Sequence, residues 1–128
     1  MDFRTTTIRE LHEQLVSGTV TPESLLTESR LVIHQRDASI HAFIEVFNDQ
    51  QETVDVTAGV LAGIPMAVKD NILYKGHIAS AASKILENYQ ASYDATVVEL
   101  LQQQHAVIVG RLNMDDSAMG TSTESSYY

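Results

Sequence analysis

Lys69, Asp70 and Asn71 close an apolar run, Gly63-Ile64-Pro65-Met66-Ala67-Val68, and that is an unusual place for an ammonium and a carboxylate. A charge taken out of water must be paired, or its pKa must shift until the group is neutral. Lys69 is therefore half of a structural ion pair, with Asp70 at hand, or a lysine tuned to move protons. A neutral lysine can act as general base toward a serine hydroxyl, the chemistry of Ser-Lys machinery. A lysine snorkelling to the surface is the third reading. Residue types alone leave all three open.

Other chemistries are narrowed by what the chain contains. There are no cysteines, which excludes thiolate nucleophiles, zinc-thiolate sites and disulfides. His12-Glu13 begins a helical zinc motif, but Val16 occupies the place of its second histidine. No Gly-x-Ser-x-Gly nucleophile elbow occurs, and Ser80, Ser83 and Ser92 read as turn and capping serines. Seventeen acids against eight bases give a net charge of -9, which repels phosphate backbones. If a nucleic acid is involved, another subunit should hold it. No apolar stretch is long enough to span a bilayer, and Met1-Asp2-Phe3-Arg4-Thr5-Thr6-Thr7 lacks a signal-peptide core, so a cytoplasmic protein is expected.

The elements that must position Lys69 can be read from periodicity. Thr7-Ile8-Arg9-Glu10 has capping-box spacing, Ile8, Leu11 and Leu15 follow at helical intervals, and Gly18 is a natural stop. Thr21-Pro22-Glu23 opens a second helix, with Leu25, Leu26, Val32 and Ile33 on one face, to about Arg36. Two short helices cannot bury their stripes alone, so residues 1–37 are expected to form a helical arm on residues 38–128. Ala42 to Phe47 reads as a strand, 48–60 as a linker or poorly formed helix, and Ile64 to Val68 as a second strand. Pro65 suits only the start of that strand or an edge position. A short helical turn is expected over Ser83 to Asn88. Then comes a helix from Ala95 to Gln104, capped by Asp94, with Val97, Val98 and Leu101 inward. Ala106-Val107-Ile108-Val109 ends at Gly110 like a buried parallel strand. The order strand, helix, strand makes the fold class α/β. Asn113 to Tyr128 reads as a loop over a site.

Taken together, the segments resemble a known family. Gly63 to Ile72 looks like the lysine segment of the amidase signature family. Ala82-Ser83-Lys84-Ile85-Leu86-Glu87-Asn88-Tyr89, Tyr93-Asp94-Ala95-Thr96-Val97-Val98, Asn113-Met114-Asp115-Asp116 and Ala118-Met119-Gly120-Thr121-Ser122-Thr123-Glu124 follow in order. The series is most similar to the branch that furnishes the glutaminase component of glutamyl-tRNA(Gln)/aspartyl-tRNA(Asn) amidotransferases, over nearly the whole chain. The resemblance implies the N-terminal part of the amidase-signature fold, a mixed, mainly parallel sheet covered by helices. It implies a Ser-cis-Ser-Lys triad that hydrolyses glutamine, with Lys69 as the base. Asp70 and Asn71 would support that lysine and the turn after it, and Ser122 and Thr123 the substrate loop. It also implies B and C partner subunits, with charged tRNA, ATP and Mg handled by the partner, and no cofactor or metal in this chain.

The same resemblance marks departures. The family's serines lie in and just before a Gly-Gly-Ser-Ser-Gly-Gly region, whereas here Ser125-Ser126 is followed by Tyr127-Tyr128. An incomplete amidase fold without activity is the expectation, one that exposes strand surface and folds poorly by itself. The segment before Gly63 looks shortened, His105 stands where a glycine commonly ends the helix, and Arg111-Leu112 and Asp116-Ser117 replace more usual residues. A hydrolase of another amide, a non-catalytic remnant that still docks on a partner, and the product of a disrupted gene remain alternatives.

Overall fold

The computed structural model describes residues 5–48 and 54–128. Helix α1 spans Ile8–Val16 and begins with the expected capping box: Thr7 Oγ1 accepts the Glu10 N–H at 3.3 Å, and the Glu10 carboxylate accepts the Thr7 N–H at 2.7 Å. Leu11 and Leu15 point inward, and Gly18 follows the helix in a left-handed conformation. Helix α2, Pro22–Ile40, has Pro22 at its first turn and Thr21 as N-cap. It runs one turn past the expected stop at Arg36. The Asp37 carboxylate accepts the N–H groups of Ala42 and Phe43, and His41 turns left-handed with its N–H on the Asp37 carbonyl. The helix end thus feeds directly into the first strand.

That strand, β1, is Phe43–Val46; β2 is Pro65–Lys69, and β3 is Val107–Leu112. The sheet order is β1-β3-β2, with β2 parallel and β1 antiparallel to β3. Pro65 is the first residue of β2, which lies at an edge of this sheet, so its missing N–H costs no ladder bond. Of the stretch expected as linker or helix, residues 49–53 fall outside the described residues, and 54–60 form turns and irregular chain. A 3-10 turn covers Lys84–Leu86 inside the expected segment.

Helix α3, Thr96–Gln103, connects β2 to β3 and covers one sheet face, where Val98 packs with Phe47, Val68 and Ile108. Helix α2 covers the other face through Leu26, against Val107 and Val109. A third cluster, Leu11, Leu15, Leu25 and Ile64, fastens both N-terminal helices to the start of β2. Burying a leucine or valine side chain contributes about 1.5–3 kcal/mol, so these clusters are what hold the helical arm on the core. Apolar surface also remains open. A groove of about 290 Å³ between α2 and the sheet is lined by Val32, Ile33, Phe43, Met66, Ala67 and Val109.

Three expectations are corrected. Asp94 does not cap α3; its carboxylate accepts the Lys75 N–H at 2.6 Å, and Ala95 is an N-cap without a side-chain bond. Val97 is 44% exposed, because the buried face of so short a helix is carried by Val98 with Leu101 beside it. Gly110 does not end β3; it lets β1 approach within the strand, where a Cβ would press on the Glu45 carbonyl oxygen. His105 does take the left-handed position after α3, with φ 55°. Its N–H bonds to Gln102 O and that of Ala106 to Leu101 O, a Schellman ending without glycine.

Candidate active site

Lys69 is the last residue of β2, opposite Leu112 of β3, at the C-terminal end of the parallel pair. Ligand sites of open α/β sheets collect at that end. Its side chain is exposed, and among the described residues its ammonium makes no hydrogen bond or ion pair. Of the three readings left open, the ion pair with Asp70 is not found, and the exposed side chain leaves the sheet at the end of an edge strand rather than entering it. Asn71 is exposed in the turn that the Ile72 N–H closes on the Lys69 carbonyl at 2.8 Å.

Asp70 faces the opposite way and is 1% exposed. Consecutive side chains at a strand end point to opposite sides, which is why the Lys69–Asp70 pair does not form. Asp70 Oδ1 lies 2.6 Å from Arg111 Nη1 and accepts the Ser80 N–H at 3.2 Å. Its Oδ2 accepts the Ser80 hydroxyl at 2.5 Å and the Ala82 N–H at 2.8 Å. Ala81 and Ala82 are both left-handed, with φ 48° and 54°. Such residues cost about 1–2 kcal/mol each, and the bonds to Asp70 hold them there.

Arg111 is 6% exposed on β3 and also bonds Glu45 of β1 through Nε at 2.9 Å. Burial works against its cation, but the bonds to Asp70 and Glu45 outweigh this and raise its pKa above the ordinary value. One guanidinium thus ties together β1, β3 and the residue after β2. Removing one partner of a buried pair costs about 3–5 kcal/mol, because the other charge is left uncompensated. Tyr128 closes the cluster: its hydroxyl lies 3.1 Å from Ser80 Oγ, and Arg111 stands over its ring at 5.6 Å.

Ser122 and Thr123 are gathered around Asp115 rather than Asp70. The Asp115 carboxylate accepts the N–H groups of Thr123 at 2.9 Å and Ser122 at 3.1 Å, and the Ser125 hydroxyl at 3.0 Å. Those bonds, the Thr123 N–H foremost, hold its pKa below the ordinary carboxylate value. The Ser122 hydroxyl bonds Glu124 at 2.8 Å. This loop is fastened to the 80–82 segment by Ser117 N–H on Ala81 O and Tyr127 N–H on Ala82 O. It therefore folds over the Asp70 cluster.

Ser80, read as a turn or capping serine, and Arg111, read as a departure, are the residues that sequence reasoning missed here. A signal existed for Arg111: a guanidinium inside the otherwise apolar run Val107–Leu112 requires a carboxylate. Among the described residues no group of three His, Cys, Asp or Glu side chains is placed to hold a metal ion.

A family model described as Amidase matches residues 23–128. The chain belongs to the Amidase family. The A-type subunit of glutamyl-tRNA(Gln) amidotransferase from Lacticaseibacillus paracasei is 46% identical over 100% of this chain and 28% of its own length. The crystal structure of the Thermotoga maritima protein of the same name superposes with a TM-score of 0.85 at 40% identity, over 100% of this chain and 27% of that one. Native peptide amidase of Stenotrophomonas maltophilia, at 23% identity over 90% of this chain and 26% of that one, has a TM-score of 0.79 and shares the fold. The chain thus spans about 28% of the length of the curated relatives it matches. Within this Amidase segment, the mixed sheet and its covering helices are those of the family fold.

Proposed function

We propose that this Amidase segment belongs to the glutamine-hydrolysing subunit of a tRNA-dependent amidotransferase, with Lys69 as its proton carrier. The observation that carries the reading is 46% identity along the whole chain to the Lacticaseibacillus amidotransferase protein, which exceeds the likeness to the peptide amidase. Lys69, whose ammonium has no partner among the described residues, stands at the C-terminal end of a parallel strand, open to groups brought by other parts of the protein. Both triad serines come from outside these 128 residues, because no Gly-Gly-Ser-Ser-Gly-Gly stretch is among them. In the reaction a serine oxygen attacks the side-chain carbonyl of glutamine. Its proton passes through the cis-serine to Lys69 and returns to the departing nitrogen, releasing ammonia. Water then hydrolyses the acyl-enzyme to glutamate.

Asp70 and Asn71 support this site by fixing the chain after Lys69, and Ser122 and Thr123 by shaping the loop above it. The ammonia passes to a B-type partner, which uses ATP and Mg to amidate Glu-tRNA(Gln) or Asp-tRNA(Asn), with a C-type partner completing the complex. A chain of net charge -9 leaves tRNA binding to those partners. The setting is the cytoplasm; no helix among the described residues is long and apolar enough to cross a membrane.

The test is a chimera in which these 128 residues replace the matching segment of the Lacticaseibacillus protein, assembled with its B and C partners. Glutamine-dependent formation of Gln-tRNA(Gln) is expected. An assembled complex that uses ammonium chloride but not glutamine would overturn the reading.

A further inference from the structure

We propose that the outer edge of β2 is a self-association surface, on which a second copy of this chain pairs its own β2, antiparallel, about a twofold axis through Ala67. The Val107 N–H bonds Ile64 O at one end of β2, and the Asp70 N–H bonds Leu112 O at the other. Ile64 and Asp70 thus both turn their backbone groups toward β3. Strand alternation between them turns the N–H and C=O of Ala67, the N–H of Lys69 and the C=O of Pro65 outward. Since β2 is the edge of this sheet, none of these four groups has a hydrogen-bond partner among the described residues.

This row of groups matches itself. With Ala67 opposite Ala67 of the second copy, the two residues exchange both N–H and C=O bonds. Lys69 then falls opposite Pro65, and its N–H meets the Pro65 C=O. The donor that Pro65 lacks is the one that would face the Lys69 C=O, and that oxygen already accepts the Ile72 N–H at 2.8 Å. Proline and lysine commonly blunt a sheet edge, but in this register neither opposes pairing. The two Lys69 residues stand about 14 Å apart along the seam, beyond the screening length of ~8 Å at physiological salt. The same edge borders the apolar groove beside α2, through Pro65, Met66 and Ala67. A twofold axis normal to the sheet brings the two grooves together on one face. The other edge differs, because the β1–β3 register slips between Phe43 and Glu45, a bulge that blunts β1. The joined sheet therefore ends in two blunted edges, and the product is a closed dimer and not a fibre.

The experiment is sedimentation velocity of the 128-residue chain over a dilution series, with amide exchange on the same samples. A monomer–dimer equilibrium is expected. Protection of the Ala67 and Lys69 amides should rise with concentration, while that of Met66 and Val68, which face β3, stays constant. Ala67→Pro removes the central donors at an edge position that accepts proline, and it should weaken dimerisation by about tenfold or more. The chain has no cysteine, so Ala67→Cys places a single thiol at the axis. The Cα separation of a hydrogen-bonded antiparallel pair, about 5.5 Å, suits a disulfide. Mild oxidation should link Ala67→Cys into covalent dimers faster than Ala118→Cys, an exposed loop position. If Ala67→Pro does not fold, the exchange pattern and the disulfide decide. A monomer at every concentration, which leaves the edge to a strand of another protein or of a longer chain, overturns the proposal. So does a dimer that forms without protecting the Ala67 and Lys69 amides. Neither glutamine nor tRNA enters this readout, so its failure is distinct from failure of the amidotransferase reading.

Discussion

Gly110 and Glu45 meet across the β1–β3 pair, and a Cβ on Gly110 would press on the Glu45 carbonyl oxygen and the Phe43 ring. The obstacle is backbone, which cannot rotate aside. Gly110→Ala should therefore push β1 off the sheet, strain the neighbouring Glu45–Arg111 bond and cost about 1–3 kcal/mol. A lower urea midpoint is the expected result. An unchanged midpoint would mean that β1 is not seated as described.

His105 occupies a left-handed position that glycine would fill without steric cost. The Schellman bonds of Gln102 and Leu101 are already made, so His105→Gly relieves strain and removes the charge interaction of the imidazole with the exposed Asp55 carboxylate. A stabilisation of about 0.5–1 kcal/mol is expected, after allowing for the added flexibility of the unfolded chain. Thermal unfolding at constant pH measures it. A loss of stability would show that the imidazole makes a contribution larger than that strain.

Asp115 gathers the loop from Ser122 to Ser125, and its pKa lies below the ordinary value for that reason. A depressed carboxylate stabilises the folded state above its unfolded pKa, about 3.9. That contribution is lost as pH falls through the lower folded value. Protection of the Ser122 and Thr123 amides, measured against intrinsic exchange at each pH, should fall upon acidification below about pH 4, ahead of amides in β3. Asp115→Asn should produce the same loss of protection at neutral pH. Exchange in that variant indistinguishable from wild type would refute the assignment.

Much of this fold was legible because its signals are local. Thr7 with Glu10, Pro22 at a first turn, and a proline tolerated only at a strand start each require neighbours a few residues away. The identity of the Lys69 strand was equally plain. What was hidden depends on pairing across the sheet. Arg111 finds Asp70 across 41 positions and Glu45 across 66, and nothing local announces either choice. Reading Asp70 with its neighbour Lys69 ignored strand alternation, the one rule that separates them. Asp94 misled for a similar reason: a carboxylate before a helix resembles a cap, but the Lys75 N–H, 19 residues away, takes it first.

The 128-residue chain by itself should release no ammonia from glutamine, since Lys69 has no serine of the family's glycine-rich region to deprotonate. A coupled glutamate assay with the purified chain should match the buffer blank. Activity that vanished with Lys69→Ala would place a nucleophile within these residues, with Ser80 the first to examine.

The central claim is that Lys69 carries the proton in glutamine hydrolysis, and Lys69→Ala in the assembled chimera tests it most directly. Glutamine-dependent amidation should fall by roughly a thousandfold or more, while amidation supported by ammonium chloride should persist. Glutamine-dependent amidation retained at the level of the parent chimera would contradict the account.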